Sequence, residues 1–504
     1  MNEIEDKLPE IVGQDSKKMS FELKTFASLA IPIYFSQLAS HATGVIAALM
    51  TGSYSTLDQA AVATGNMLFW PVFFGLGGSL FIVTAFVAQF YGAKKNHEIG
   101  PLLKQAFWLC IPLIILVTIY LSYAGQILDF FGTPEDVQNI TKSYLNGLMI
   151  GTPALFLFQP LKSFSEGITR PIPITIINLG MVASNALLNY GFIFGKFGLP
   201  ELGGAGCGIS FAISSWGALL ALVIYIYSSK YYQSANLFSE YEKPNLEKIS
   251  EIFKLGFPIG ACIFVEFGLF SGSGLLLSNL GEETIASHAI AMQVTTVTFM
   301  LPLSVGLAAA VRSGNLLGAR EFVAARYSSF FAIMTAVTLA SFNFVGLILF
   351  GGKFASWFNA DPSIIALSSS LLFVAAFMQL SDGISFTGQG ALRGYKDTYA
   401  PMYIMIIAFW CFGLPVGYSL GLTDFFVPAQ GAYGMWIGMC CGVILASILV
   451  LFRLDRTTKK AIQDKNFNIF FLRNNLKYNF YESRCCKWWF RSSSFWTYSL
   501  FQSR

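Results

Sequence analysis

The chain has 504 residues, 54% hydrophobic and only 12% charged, about half the roughly 25% charge of an ordinary soluble domain. With a mean hydropathy of +0.58, these figures exclude a soluble enzyme, a disordered chain and a nucleic-acid binder. The net charge of +4 is a property of the tail, since residues 454–504 carry 10 Lys+Arg against 3 Asp+Glu.

Taken in chain order, residues 1–24 form a polar, mildly acidic N-terminus expected on the cytoplasmic side. It lacks the basic start and short apolar core of a cleavable signal. A hydrocarbon core of about 30 Å takes about 20 apolar residues per helix. Twelve stretches meet that length: 26–50, 60–91, 105–125, 143–164, 172–195, 205–229, 251–280, 285–311, 327–351, 364–387, 398–420 and 429–453. None shows the ten-residue alternation of an outer-membrane barrel. An all-α integral membrane protein is expected. Residues 25–229 are read as an N-terminal six-helix lobe and 251–453 as a C-terminal one, joined by the charged linker 230–250. The basic tail is 454–504, atypical from about 467, where Cys485-Cys486-Lys487-Trp488-Trp489 sits among Phe, Tyr, Asn and Ser. Two readings of it stay open: an aromatic, basic segment on the inner leaflet, or sequence read out of frame.

Cationic residues alternate between the turns. Those after the even-numbered spans hold fourteen, among them Lys94, Lys95, Lys162, Arg170, Arg312, Arg320, Arg393 and Lys396, whereas the odd-numbered turns hold only Lys142, Lys196 and Lys353. The positive-inside rule then puts both termini in the cytoplasm, as an even number of spans also requires.

The chain repeats itself. Ala30-Ile31-Pro32-Ile33 is echoed by Gly256-Phe257-Pro258-Ile259, and Gly92-Ala93-Lys94 by Gly318-Ala319-Arg320. Ser165-Glu166-Gly167-Ile168-Thr169-Arg170 parallels Gly388-Gln389-Gly390-Ala391-Leu392-Arg393 at a slightly shifted offset. Two six-helix units of equal topology are expected to relate by a pseudo-twofold axis along the membrane normal, with a substrate path between them.

Of 28 acidic residues, two fall deep in spans: Glu266 in the seventh and Asp382 in the tenth. No Lys or Arg is counted at comparable depth. A mid-bilayer carboxylate costs several kcal/mol or more, so it faces a wet cavity, binds a cation or takes up a proton. His41 and His288 are further titratable groups near the bilayer, each read as a proton relay or a helix-packing histidine. Asn185 and Asn189, four apart, share one helix face and serve either as cation ligands or as interhelical glue. Gly434-xxx-Gly438-xxx-Gly442 and Gly413-xxx-Gly417 read as close helix packing. The eight cysteines show no CxxC pair or metal spacing. HExxH, GxSxG, Walker A and dinucleotide-loop motifs are missing, so no enzyme, ATP use or cofactor is expected. The energy then comes from an ion gradient, about 2.3 kcal/mol per charge per 100 mV.

Four stretches carry a resemblance: Phe253–Glu266, Ser287–Leu303, Gly388–Thr398 and Leu199–Gly208. In this order, with the repeat, the sequence resembles the multidrug and toxic compound extrusion (MATE) transporters in their NorM-like branch over about residues 22–453. The resemblance implies a V-shaped pair of six-helix lobes in the cell inner membrane, alternating between inward- and outward-open states. It implies a monomer that exports cationic amphiphilic drugs and dyes against entering Na⁺ or H⁺, with the lipid bilayer as its other partner. The family's coupling carboxylates fall on Glu266 and Asp382, the candidate Na⁺ ligands. Gln293, inside Ser287–Leu303, joins His41, His288, Asn185 and Asn189 as a secondary polar candidate. The family's aspartate of the first span falls on Ala47, so no second ion site is expected beside Asn185 and Asn189. The runner-up is a lipid-linked oligosaccharide flippase of related fold, which would need a basic central cavity. An integral-membrane transferase would need a carboxylate cluster at a loop mouth, and the loop acids here are scattered.

Overall fold

The computed structural model describes residues 19–464, apart from 131–132, 239–240, 278–279 and 426. The expected segment 1–24 up to residue 18 and the tail beyond 464, with both of its readings, lie outside the described residues.

Twelve long helices carry the fold. They are α1 (Met19–Tyr54), α2 (Thr56–Gly92), α3 (Asn96–Ser122), α4 (Glu135–Gly167), α5 (Ile172–Phe194), α6 (Gly204–Ser228), α7 (Leu246–Leu277), α8 (Glu282–Gly318), α9 (Phe322–Ser356), α10 (Pro362–Gly394), α11 (Tyr399–Leu422) and α12 (Gly431–Gln463). Each expected span overlaps one of them, though 105–125 runs past the end of α3 at Ser122 and 251–280 past the end of α7 at Leu277, and the described residues hold no strand. Eleven are long and apolar enough to cross a membrane. The exception is α4, which spends its ends on polar residues: Gln138, Asn139 and Lys142 at one, Gln159, Lys162, Ser165 and Glu166 at the other.

The helices overrun the expected stretches because hydropathy sees only their lipid-facing length. At 1.5 Å per residue, the 37 residues of α8 extend about 55 Å against a core of about 30 Å. Likewise residues 454–463, expected in the tail, continue α12. Ion pairs hold that extension: Arg326 to Asp455 at 2.7 Å, Lys459 to Asp455 at 2.7 Å and Arg453 to Asp397 at 2.6 Å.

Capping differs from end to end. Ser55 Oγ accepts from the backbone N–H groups of Leu57 and Asp58 at the start of α2, supplying donors' partners the helix itself lacks. Asp361 Oδ1 accepts from Ser363 N at 2.9 Å and Ser363 Oγ at 2.8 Å ahead of α10, and these bonds hold its carboxyl below the usual range. At the ends of α2, α4, α8 and α10 the chain turns through a left-handed residue: Lys94, Thr169, Arg320 and Lys396, with φ between 58° and 64°. Lys94 and Arg320 are 226 apart, the spacing of Pro32 and Pro258, and Thr169 and Lys396 are 227 apart, so corresponding helix ends of the two halves turn alike.

Regularity breaks in two places. A 3₁₀ turn, Gly78–Phe81, divides α2, and α11 widens into a π-helix over Ile406–Gly413. Small residues set the closest crossings. A Cβ on Gly256 would meet the Ser79 carbonyl, one on Gly260 the Gly75 carbonyl, and one on Gly92 the Asn315 carbonyl. The glycines read as packing motifs do that work: Gly438 abuts Gly417, and Gly442 abuts Gly413, joining α12 to α11.

The packing does not divide cleanly at the linker. Phe26, Leu29 and Ile33 of α1 share an apolar core with Val305 and Ala308 of α8, Phe331 of α9, Leu392 of α10 and Val450 and Leu454 of α12. Further along, α1 turns to α5: Thr175 Oγ1 donates to the Pro32 carbonyl at 2.7 Å, and Asn178 Nδ2 to Ser36 Oγ at 2.6 Å. The opening half of α7 lies on α2 through Gly256 and Gly260, while Cys262, Leu269 and Leu277 enter the core of the second half of the chain. Each repeat therefore lends the start of its first helix to the other. These cross-contacts cluster where α2, α8 and α10 end, beside the cation-rich turns.

Candidate functional site

The two acidic residues of the seventh and tenth spans lie on helices that come together around one small pocket. Glu266 is partly buried on α7 and Asp382 is buried on α10, and the two charges lie within electrostatic reach of one another. Neither side chain accepts a hydrogen bond or joins an ion pair among the described residues. A carboxylate in that position is stabilised only by water, a cation or a proton.

Glu266 faces a narrow pocket of about 20 Å³, room for one water or a small cation. Ile259, Cys262 and Ile263 line it from α7; Phe386, Gln389 and Arg393 from α10; Asp397, Thr398 and Pro401 from the turn into α11. Asp382 stands one turn above this wall. Residues 379, 382, 386, 389 and 393 share one face of α10. On it, Gln379 Nε2 donates to Thr298 Oγ1 at 2.9 Å, while its buried Oε1 has no partner.

Arg393 stands in the last turn of α10, where the sequence puts it. It is nevertheless one of the residues that line the Glu266 pocket. An Arg stem spans more than one helical turn, so helix position underestimates where its charge sits. The i, i+4, i+7, i+11 spacing of Asp382, Phe386, Gln389 and Arg393 was the signal for it.

The secondary candidates separate. His41 on α1 and Gln293 on α8 are brought together, Nε2 to Nε2, at 3.2 Å. His288 is held elsewhere: its Nδ1 accepts from Trp436 Nε1 at 3.1 Å, deep between α8 and α12. Asn189 Nδ2 donates to Asn185 Oδ1 at 3.0 Å. Both asparagines are buried, and Asn189 Oδ1 has no partner. Ala47 is buried on α1, where its carbonyl accepts from Thr51 Oγ1 at 2.8 Å. Among the described residues, no three His, Cys, Asp or Glu side chains converge as a metal site.

One buried cluster went unnoticed in the sequence. Arg312 of α8 forks onto Glu22 of α1, Nη2 to Oε1 at 2.6 Å and Nε to Oε2 at 3.3 Å, and Ser328 of α9 donates to Glu22 Oε2 at 3.0 Å. Both charged residues sit near helix ends, where they read as surface; the overlong helices bury them. In the turn after α10, burial pushes the Lys396 ammonium below its usual range, against the opposing pull of Glu251.

The MatE family model matches residues 32–191 and 258–419, two segments whose starts are 226 apart (258 − 32) and which take in α7 and α10 with both carboxylates. The chain belongs to the MatE family. It is 36% identical over 446 residues to the probable multidrug resistance protein NorM of Shewanella oneidensis, covering 88% of this chain and 97% of that protein. It is 36% identical over 445 residues to the multidrug resistance protein PmpM of Pseudomonas aeruginosa, covering 88% and 93%. Among solved structures, it shares the fold of the eukaryotic MATE transporter AtDTX14, with a TM-score of 0.78, 21% identity and coverage of 88% and 99%. A multidrug resistance MATE family transporter in its outward-facing conformation gives a TM-score of 0.79, 16% identity and coverage of 90% and 98%. As a MatE protein with eleven helices apolar enough to cross a bilayer and a polar twelfth, α4, the chain is a multi-pass membrane protein.

Proposed function

We propose that this MatE protein is a multidrug efflux antiporter of the inner membrane, exporting cationic amphiphilic compounds in exchange for entering Na⁺ or H⁺. The observation that carries the reading is the Glu266–Asp382 pair: two carboxylates inside the bundle, electrostatically coupled and without a protein hydrogen-bond donor. The relatives' names, NorM and PmpM, are those of multidrug resistance proteins.

The cation-rich turns support a reading with both termini in the cytoplasm. On that orientation the packed ends of α2, α8 and α10 are the cytoplasmic ends, and we read the arrangement as open to the outside. In that state an entering Na⁺ or proton loads Glu266 and Asp382. Loading removes the negative charge that attracts a cationic drug, and the drug leaves outward. The loaded protein opens inward, releases the ion and regains its affinity for drug. Coupling requires the ion to bind the two states unequally. The six-helix lobes move against each other while α1 and α7, each packed on both, act as the shared elements.

Ethidium efflux from proteoliposomes tests the reading, first under an imposed Na⁺ gradient and then under a pH gradient, for wild type and Glu266→Gln. Efflux driven by one ion and lost in the variant is the expected result. Equal driven efflux in Glu266→Gln would sink the scheme.

A further inference from the structure

Glu266, Arg393 and Asp397 line the pocket, and Glu266 and Arg393 make no ion pair or hydrogen bond among the described residues. Glu266 closes one end. Arg393 flanks the passage toward the α10–α11 turn, where Asp397 and Thr398 line the other end. Asp397 is already engaged, accepting from Arg453 Nε at 2.6 Å and Thr457 Oγ1 at 2.8 Å. Arg393 therefore has no carboxylate of its own. It makes no ion pair or hydrogen bond among the described residues, and its guanidinium lies 6.0 Å from the Phe81 ring of α2. The rest of the lining mixes Gln389, Cys262 and Thr398 with apolar Ile259, Ile263, Phe386 and Pro401. Cys262 on its own helix and Asp382 on α10 lie within electrostatic reach of Glu266, and Arg393 and Asp397 share its pocket. From α2 and α11 the neighbouring side chains are aromatic, Phe74 against Phe267 and Trp410 against the Val265 carbonyl.

A cation-loading carboxylate whose pocket extends to residues of the cation-rich turn is exposed to slippage: an ion could load from one side and leave by the other without transport. A fixed, unpaired guanidinium in a water-sized passage opposes this, because a second cation must approach it at close range in a medium that screens poorly. We propose that Arg393 is the electrostatic gate of this passage, repelling cations that would leave Glu266 through the closed end of the bundle. Its contact with Phe81 makes the gate specific to the closed state: when α2 parts from α10 the guanidinium loses that wall and can swing clear, and the same passage becomes the ion's exit. The inference rests on the reading of Glu266 as the ion-loading group.

The test is drug-independent ion leak into proteoliposomes, followed with an internal Na⁺ indicator under a Na⁺ gradient and with internal pyranine under a pH gradient. Arg393→Gln should raise the leak of Na⁺ or H⁺ by on the order of tenfold over wild type. Arg393→Lys, which keeps the charge, should stay at the wild-type rate, and Arg393→Gln/Glu266→Gln should lose the leak. An Arg393→Gln protein that inserts and binds ethidium but leaks no faster than wild type overturns the gate. So does a leak that persists in the double variant, because it would not pass by Glu266. Driven ethidium efflux by wild type, measured in the same vesicles, separates the two ideas: its failure sinks the antiport reading, while the leak comparison still decides the gate.

Discussion

His41 and Gln293, 252 positions apart, meet across the two halves of the chain, their Nε2 atoms 3.2 Å apart. With the Gln293 amide donating, His41 keeps a lone pair on Nε2 and its neutral ring carries the proton on Nδ1. The contact ties the second half of α1 to α8. The Glu22–Arg312 pair ties the same two helices near their other ends.

Removing either partner of the His41–Gln293 contact should cost about 1 kcal/mol. The two losses should not add, since one substitution already abolishes the bond. Thermal melts of His41→Ala, Gln293→Ala and the double variant in detergent check this. Full additivity would mean the contact contributes nothing.

His288 is expected to act through packing rather than proton transfer. Its Nδ1 is the acceptor for Trp436, an indole with no exposed surface. His288→Leu should strand that N–H and lower stability by about 1–3 kcal/mol, and His288→Asn should recover part of the loss. Neither should move the pH profile of driven efflux; a displaced profile would restore the relay role.

The Glu22–Arg312 pair is bidentate, with side chains 0% and 3% exposed. Breaking such a pair leaves one uncompensated buried charge, so Glu22→Gln should destabilise by about 3–5 kcal/mol. Glu22→Gln combined with Arg312→Met should be more stable than Glu22→Gln alone. Melting temperatures and yields of folded protein discriminate the outcomes.

Gly256 permits α7 to lie directly on the Ser79 carbonyl of α2. Gly256→Ala introduces an overlap costing about 1–3 kcal/mol, borne only while this end of the bundle is closed. The population should shift toward the state open at that end, by about fivefold to a hundredfold. Hydrogen exchange of residues 82–92 should quicken and dye efflux should fall. Unchanged exchange would mean that the contact relaxes locally.

Sequence by itself determined that the chain spans a bilayer with twelve helices in two related sets, because apolar length and charge placement are local properties that a membrane reads directly. It also selected Glu266 and Asp382, since a lone carboxylate inside an apolar run has no local partner and must answer to something else. The tertiary structure alone decided which distant side chains share a space. It set His41 against Gln293 and fastened His288 to Trp436. It put Arg393 in the lining of the Glu266 pocket and buried Glu22 with Arg312 where helices continue past the expected ends. It also moved the opening turns of α1 and α7 into the opposite half of the bundle. These outcomes depend on the crossing of helices hundreds of residues apart, where a glycine such as Gly256 or Gly260 lets two backbones touch. Periodicity along one helix states which face is polar; only the packing states what that face meets.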